Sequence, residues 1–386
     1  MNRSLLQKIA MPTALLLVWL FFSFMLDRDA LLGREGARFL FIGSRNLTQL
    51  FIEYSIVATL ALGMFLIILT GHIDLSVGSG VGLIGGIAAV LIFKEGWPAP
   101  FALLGAGGSA LVLWTLIGVF VVKQHMPSFI ITLGGLLIFK GLFWLVIQNS
   151  TIPISRGGED NLYSLLTTYS LPPQAGLILA LGLTAVIAWL QFSDRRERIS
   201  HGLPPGSGAA MAGRIAIAAI AIFGVVLICN SFRGVPVSLL ILTAVAGAVY
   251  FITVHTPYGR NLYAIGGNEE AAVISGIQVD RVLIGAFVLM GVAVAITGFM
   301  MTAYSGASTT TVGDLMELDA IAACVIGGTS LKGGRGSVVG VLLGAFIMTS
   351  LLNGMTLMAV SPELKFIARG AVLALAVWMD VKFSRA

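Results

Sequence analysis

The amino-acid sequence predicts an all-α, polytopic membrane protein, and three observations carry that prediction. Of the 386 residues, 57% are hydrophobic and 11% are charged, whereas soluble domains carry roughly a quarter charged residues. The mean hydropathy is +0.97. Apolar runs long enough to cross about 30 Å of hydrocarbon as a helix recur along the whole chain. Because a helix satisfies its own backbone hydrogen bonds in lipid, these runs predict membrane helices and exclude a soluble fold.

Twelve apolar runs define the candidate helices in chain order. They are 9–26, 51–70, 77–93, 100–122, 129–148, 173–193, 215–232, 237–255, 282–303, 318–330, 337–353 and 366–381. The run at 318–330 is too short to span comfortably and the connection at 71–76 is tight, so a broken or re-entrant helix is expected at either place. We therefore predict a single transmembrane domain over 1–386 with about 10–12 transmembrane or re-entrant helices.

The distribution of basic residues predicts the orientation. With the N-terminus inside, the inner connections hold thirteen Lys and Arg residues and the outer ones hold eight. This bias predicts that both termini, 193–214 and 256–281 are cytoplasmic. The net charge of +5 is largely explained by these connections and requires no nucleic-acid partner. The first apolar run lacks a small-residue cleavage site, so we expect it to remain as an anchor.

Glycines at four-residue spacing form two ladders. Small residues at this spacing let another helix backbone approach closely within a membrane. The stretches GSGVGLIGG and GSVVGVLLG share the pattern Gly-Ser-x-x-Gly-x-x-x-Gly, which hints at a parallel internal repeat. The first also contains a GxGxxG match, but no strand precedes it, so a dinucleotide site is not predicted. The expected helix-packing residues are Gly78, Gly82 and Gly86, and Gly336, Gly340 and Gly344.

Four polar residues in or near apolar runs are candidate pathway or gating residues. Asp74, with Ser76 close behind it, either serves the transport pathway or caps the following helix. Lys140 lies near the middle of an apolar run, where an unpaired ammonium costs roughly 2.5 kcal/mol or more. It must therefore pair with a partner or take part in the pathway. Asn353, in the stretch SLLNGM, completes the set.

No residue pattern in the sequence predicts catalysis or a bound cofactor. The four histidines share no metal-ligand spacing, and both cysteines fall in apolar runs, where Cys behaves as a small hydrophobe. The stretch GGTSLKGGRGS has the glycines of a phosphate-binding loop but lacks Gly-Lys-Ser/Thr. We therefore expect no enzyme activity, no metal, and no ATP binding by this chain.

The stretch 256–281 interrupts the apolar pattern with a short charged helix, predicted at 269–275. Its N-terminal residues suit a helix cap and the positive end of the helix dipole, and a glycine can end it. A helix of about two turns does not stand alone, so it needs a surface to pack on, either its own protein or a partner. The residues that carry this prediction are Asn268, Glu269, Glu270, Ala271, Ala272 and Gly276.

Glu270-Ala271-Ala272 followed by Gly276 resembles the EAA-x-x-x-G pattern by which permease subunits of ABC importers dock on their ATPases. The stretches YAIGGNEEAAVISGI, IDLSVGS and ELDAIAACVIGGTSLKGGRGSVVGVLLGAFIM resemble the ribose/xylose-type sugar permease family, over about residues 45–386. SLLNGM and RGVP are most similar to its xylose-transporting members. Two features depart from the family pattern. Lys140-Gly141 stands where Arg-Gly is expected in relatives, and Lys332 and Arg335 add positive charge to a glycine turn that often carries less charge.

The resemblance implies a permease subunit that moves xylose or a related monosaccharide across the inner membrane by alternating access. It also implies a homodimer, cytoplasmic ATP-binding subunits that dock on 256–281, and a periplasmic sugar-binding protein. Two other transport functions stay open at this point. One is an ABC permease for branched-chain amino acids, and the other is an ion-coupled secondary transporter, which needs ionisable groups at a midplane site. A non-transporting membrane scaffold explains the glycine ladders poorly.

Overall fold

The computed structural model describes residues 3–34, 38–157, 159–204 and 206–384. Within these ranges the chain forms fifteen α-helices and a two-stranded antiparallel ribbon. The elements are α1 (Arg3–Leu31), α2 (Ser44–Leu69), α3 (Val77–Phe93), α4 (Ala99–Lys123), α5 (Ser128–Ile147), β1 (Ile152–Pro153), α6 (Leu162–Thr168), α7 (Pro173–Ser200), α8 (Gly208–Asn230), α9 (Val237–His255), α10 (Pro257–Gly267), α11 (Glu269–Ile274), α12 (Val279–Ser305), β2 (Ala307–Ser308), α13 (Met316–Ile326), α14 (Val338–Leu357) and α15 (Pro362–Ser384).

Eight of the described helices are long and apolar enough to cross a membrane, namely α2, α4, α5, α7, α8, α9, α12 and α14. The apolar helix α3 is shorter, and α13, at 11 residues, extends only about 16 Å at 1.5 Å per residue. Adding α3, α13 and the long terminal helices α1 and α15 to these eight gives twelve candidate transmembrane or re-entrant helices among the described residues. This number lies within the predicted range of 10–12. The prediction of an all-α polytopic membrane protein is confirmed.

The helix α13 lies where the sequence predicted a short or broken membrane helix. The apolar run 318–330 predicts either a short span or a broken helix, and the observed helix ends at Ile326. Gly327 and Gly328 follow it, and Gly328 adopts a positive φ of 81° that favours glycine. A half-length helix at this position agrees with the expected break.

Two short helices were not predicted. Asn161 caps α6, since its side chain accepts hydrogen bonds from the backbone of Tyr163 and Ser164. Thr256 caps α10 by accepting from the Gly259 amide, and Pro257 occupies the first helical turn. The stretch after α9 therefore holds two consecutive helices, whereas the charge pattern indicated only the second.

The helices α2 and α12 form the centre of the bundle. The helix α2 packs against α9, α12, α13 and α14, while α12 also packs against α3 and α4. The pair α7 and α8 pack mainly on each other at the periphery. The ribbon pairs Ile152 with Ser308 and so ties the connection after α5 to the loop that leads into α13.

Candidate functional site

The first glycine ladder faces the segment that leads into α13. A Cβ atom added at Gly82 would lie 2.5 Å from the carbonyl oxygen of Val312, and one at Gly78 would lie 2.7 Å from that of Gly313. At Gly86 it would lie 2.8 Å from an aromatic ring of α5. These distances are below van der Waals contact, so α3 packs against this loop more closely than any larger residue allows.

The second ladder contacts the other end of α13. A Cβ atom at Gly344 would meet the Ala323 carbonyl and lie 2.8 Å from the Gly327 nitrogen. One at Gly340 would meet the Gly327 carbonyl. The two ladders therefore hold the half-length helix from both ends, α3 at its N-terminal loop and α14 at its C-terminus.

Gly336 is not on a helix, which corrects the expectation of a three-step ladder on α14. The N-cap of α14 is Ser337, whose side chain accepts from the Gly340 amide, so the helix begins after Gly336. Gly336 still lies in a crowded place, because an added Cβ atom would lie 2.7 Å from the Phe65 ring and 2.8 Å from the Thr329 hydroxyl.

Asp74 is completely buried between α2 and α3. Its Oδ1 atom accepts hydrogen bonds from the amide and the hydroxyl of Ser76 at 2.8 and 2.6 Å, and its Oδ2 atom accepts from Trp114 Nε1 at 2.7 Å. Ser76 is the residue that precedes α3. The capping expectation is therefore revised, since the carboxylate holds the residue before the helix and joins it to α4.

Lys140 pairs with a partner, which is one of the two alternatives predicted for it. Its Nζ atom donates to the carboxylate of Asp314 and, at 2.8 Å, to the carbonyl oxygen of Thr310. It also lies 5.5 Å from the centre of the Trp144 ring, a distance typical of cation–π contact. The ammonium thus joins α5 to the same loop that the first glycine ladder contacts.

Asn353 belongs to a polar network that the sequence pattern did not single out. Its amide donates to Glu53 Oε2 at 3.3 Å, and its Oδ1 atom accepts from Asn46 at 3.0 Å. Tyr304 donates to Glu53 Oε1 at 2.7 Å, and Gln49 donates to the Tyr304 hydroxyl at 2.6 Å. The missed signal is the spacing of Asn46, Gln49 and Glu53, which places three polar side chains on one face of the apolar helix α2.

The short helix in the charged stretch is confirmed, at Glu269–Ile274 instead of the predicted 269–275. Asn268 caps it, accepting from the Ala271 amide at 2.9 Å. Gly276 follows it with a φ of 81°, and its amide donates to Val273 at 2.9 Å. The cap and the glycine therefore act locally as predicted.

The two faces of α11 have different surroundings. Ala272 is buried against the protein, whereas the Ile274 side chain is 87% exposed. Glu269, Glu270 and Ala271 are exposed with it. The outward face thus combines acidic groups at the helix start with two exposed apolar side chains, Val273 and Ile274, at its end.

The preceding helix α10 connects this surface to the bundle. Tyr263 donates to the Gly336 carbonyl at 3.1 Å, next to the start of α14. A Cβ atom at Gly266 would meet the Leu69 carbonyl, at the end of α2, and one at Gly333 would lie 2.8 Å from the Gly266 Cα atom. The end of α10 thus contacts both central helix α2 and the glycine turn before α14.

A polar cleft of about 690 Å³ opens beside α10 and α11. Its walls include 70–72, 121–122, 125–129 and 265–269, with Asp280 and Lys332. Burial lowers the pKa of His72 below its ordinary value, partly offset by its bond to the Thr70 carbonyl. The imidazole is therefore neutral at neutral pH and the cleft takes its charge from the other side chains.

These features define a multi-pass membrane transport protein, with a central half-length helix held by glycines and a surface helix pair linked to it. The chain belongs to the family described as "Branched-chain amino acid transport system / permease component", whose model matches residues 46–377. It is a permease component and not an enzyme.

Curated relatives match almost the whole chain. It is 40% identical to the xylose transport system permease protein XylH of Escherichia coli (strain K12), over 97% of this chain and 92% of that protein. The XylH protein of Haemophilus influenzae is 37% identical over 97% of this chain and 96% of its own length. The ribose import permease protein RbsC of Bacillus subtilis is 32% identical, over 89% of this chain and 87% of its own length. No solved structure matches the chain.

Proposed function

We propose that this chain is the membrane-spanning subunit of an ATP-dependent ABC importer for xylose or a related monosaccharide. The observation that carries the proposal is the 40% identity to a xylose permease over 97% of the chain, on a fold of the matching membrane class. Identity is lower, at 32%, for a ribose permease. The order of these identities favours xylose over ribose.

The proposed assembly is a homodimer in the bacterial inner membrane with both termini in the cytoplasm. The moderate excess of Lys and Arg in the predicted inner connections supports this orientation. Two cytoplasmic ATP-binding subunits and one periplasmic sugar-binding protein complete it, as the family resemblance implies. Cysteines introduced at Ser207 and Ser275, both exposed, test the orientation. We expect them to resist an impermeant thiol reagent applied from outside, and ready labelling would contradict the proposed topology.

The segment 256–281 is the proposed docking site for the ATP-binding subunit. Its exposed helix α11 offers Glu269, Glu270 and Ile274 to a partner, and the polar cleft beside it gives the partner a concave surface. Charged groups at such a rim favour a complementary basic surface. Val273 and Ile274, both exposed, add apolar contact area beside these charged groups, as at the centre of many protein interfaces.

The contacts of α10 suggest how ATP binding would reach the membrane. A displaced α10 would carry the ends it touches, Leu69 on α2 and Gly336 before α14. Because α14 packs on α13 without intervening side chains at Gly340 and Gly344, its displacement would pass directly to the half-length helix. Alternating access would then follow from sliding of the glycine-packed elements against one another.

Uptake by the complete importer in proteoliposomes tests the transport function. We expect ATP-dependent xylose uptake, competition by related monosaccharides and none by leucine. Competition by leucine alone would favour the branched-chain amino-acid alternative, for which the family description is the supporting observation. Uptake by this chain alone, driven by an ion gradient without the ATP-binding subunits, would show an ion-coupled secondary transporter.

The variant Ile274→Asp tests docking separately. We expect normal membrane levels, weak co-purification of the ATP-binding subunit and uptake reduced about tenfold, as for removal of a central interface side chain. The matched control is Ile199→Asp, because Ile199 is also exposed and lies at the proposed cytoplasmic end of α7. Full ATPase binding by the Ile274 variant would make α11 an ordinary connector.

A further inference from the structure

The polar network around Glu53 has a composition that suits a carbohydrate ligand. A carboxylate accepts hydrogen bonds, a carboxamide both donates and accepts, and a phenol adds a hydroxyl beside an aromatic ring. A monosaccharide presents hydroxyls that need partners of both kinds. Glu53, Gln49 and Tyr304 supply these groups within a chain of bonds of 2.6 and 2.7 Å.

The position of the network argues against an incidental surface cluster. Glu53 is the third residue of the apolar run 51–70 in α2, near the end of that run that the proposed topology places outside. The helix is among those apolar enough to span a membrane. An ionisable residue within such a helix faces the protein interior or a water-filled cavity.

The exposure of the network argues against a purely structural brace. Gln49 is exposed, and Glu53 and Tyr304 are half-buried, whereas Asn353 is buried behind them. The two bonds from Tyr304 and Asn353 occupy two of the roughly four acceptor positions of a carboxylate. The buried amide thus orients Glu53 from behind, and the exposed side retains groups that can meet a ligand.

We propose that Glu53, Gln49 and Tyr304 form a subsite that binds the hydroxyl groups of the monosaccharide in the translocation pathway. Asn353 acts as a positioning residue, since its amide donates to the carboxylate from the buried side, and Asn46 acts through its hydrogen bond to Asn353. This inference rests on the proposed function and specifies where the substrate is contacted. In the proposed topology the subsite faces the outer half of the membrane, where the sugar enters from its binding protein.

The test uses the complete importer in proteoliposomes with xylose and its monodeoxy analogues. Each analogue is first shown to load the binding protein, and uptake is measured at saturating loaded protein. We expect one analogue to move about tenfold more slowly than xylose in the unmodified importer, because the hydroxyl bound by Glu53 is missing. Glu53→Gln should slow xylose by a similar factor and leave that analogue unchanged, while slowing the others as it slows xylose.

Two further variants keep the test decisive. Gln49→Ala removes an exposed side chain and should reproduce a selective pattern among the analogues even if the Glu53 variant fails to accumulate. Glu197→Gln changes an exposed carboxylate at the end of α7 and should leave every rate unchanged. Equal slowing of all the sugars by the Glu53 and Gln49 variants would identify a structural brace and overturn the subsite.

The failure of the subsite is distinguishable from that of the proposed function. An unmodified importer that takes up no monosaccharide overturns both. An unmodified importer that takes up xylose, together with Glu53 and Gln49 variants that keep its full analogue profile, overturns the subsite alone.

Discussion

The central helices α2 and α12 and the peripheral pair α7 and α8 are similarly apolar but have opposite surroundings. In the most apolar 18-residue window of each helix, 78% of α2 and 61% of α12 are buried, against 11% for both α7 and α8. Apolar composition therefore identifies a helix that enters a membrane without telling what the helix touches. The two regions differ in what their glycines contact.

Glycines occur in both regions, and only the structure separates their roles. An added Cβ atom at Gly63 of α2 would lie 2.5 Å from the Ala293 Cβ atom, and one at Gly298 of α12 would lie 2.7 Å from the Val81 carbonyl oxygen. At Gly182 of α7 and Gly224 of α8 it would meet nothing within 4 Å. Small residues give close packing only where a second helix or loop lies against them.

The largest effect is expected from Gly344→Leu. The new side chain would collide with the Ala323 carbonyl and the Gly327 nitrogen, both of which are backbone atoms. Such overpacking costs about 1–3 kcal/mol or more. We expect loss of uptake with a lower melting temperature of the purified protein.

The matched control for this variant is Gly182→Leu, which adds the same side chain in open space on α7. We expect its uptake and melting temperature to equal those of the unmodified protein. Normal uptake by a correctly inserted Gly344 variant would show that α14 does not need its close approach to α13.

The second effect compares two tryptophans. Trp114 is buried and donates to Asp74, whereas Trp189 on α7 is 66% exposed. Trp114→Phe leaves one oxygen of a buried carboxylate without its donor, at a cost of about 1–3 kcal/mol. We expect a lower melting temperature for this variant and no change for Trp189→Phe. Equal melting temperatures would mean that water or another group replaces the indole donor.

The sequence predicted the fold class because hydrophobic length and self-contained helical hydrogen bonding are local properties. It also predicted α11, since Asn268 and Gly276 act within a few residues of chain. The break near α13 was predicted from length alone. Each of these features depends only on residues that lie close together in the sequence.

The sequence did not predict which polar residues meet. The partners that tie Asp74, Lys140 and Glu53 to other helices or loops are Trp114, Asp314 and Tyr304, which lie 40, 174 and 251 positions away along the chain. Pairing over such separations depends on tertiary packing that no local pattern records. Glu53 was missed for the same reason, although the polar face of α2 offered a signal.

A third, smaller effect concerns the glycine that ends α11. Gly276 has a φ of 81° with nothing within 4 Å of an added Cβ atom, so Gly276→Ala carries only backbone strain, about 1–2 kcal/mol. We expect normal membrane levels and weaker co-purification of the ATP-binding subunit. Gly202→Ala is the control, because Gly202 is equally open and has a φ of 70° but lies outside the proposed docking segment. Equal co-purification of both variants would show that the left-handed turn does not position the docking surface.

The smallest effect is expected at the ion pair of Lys140 and Asp314, whose burial is intermediate between that of the central helices and that of the peripheral pair. The Lys140 side chain is 21% exposed and that of Asp314 is 47% exposed, so the pair is neither central nor fully open. Exposed ion pairs contribute about 0–1 kcal/mol. Lys140 keeps an aromatic neighbour in Trp144, so Lys140→Met can retain packing there. We therefore expect a small fall in the melting temperature and uptake close to normal.

A double-mutant cycle with Asp314→Asn isolates the interaction of the two charges from their separate contributions. The control is Asp194→Asn, which breaks the exposed pair with Arg198 on α7 and should change nothing measurable. A coupling energy of about 1 kcal/mol or less would make Lys140 a structural tether of the loop that leads into α13. Uptake abolished by Lys140→Met at an unchanged melting temperature would contradict this, because the lost function would then belong to the ammonium itself, as a pathway group.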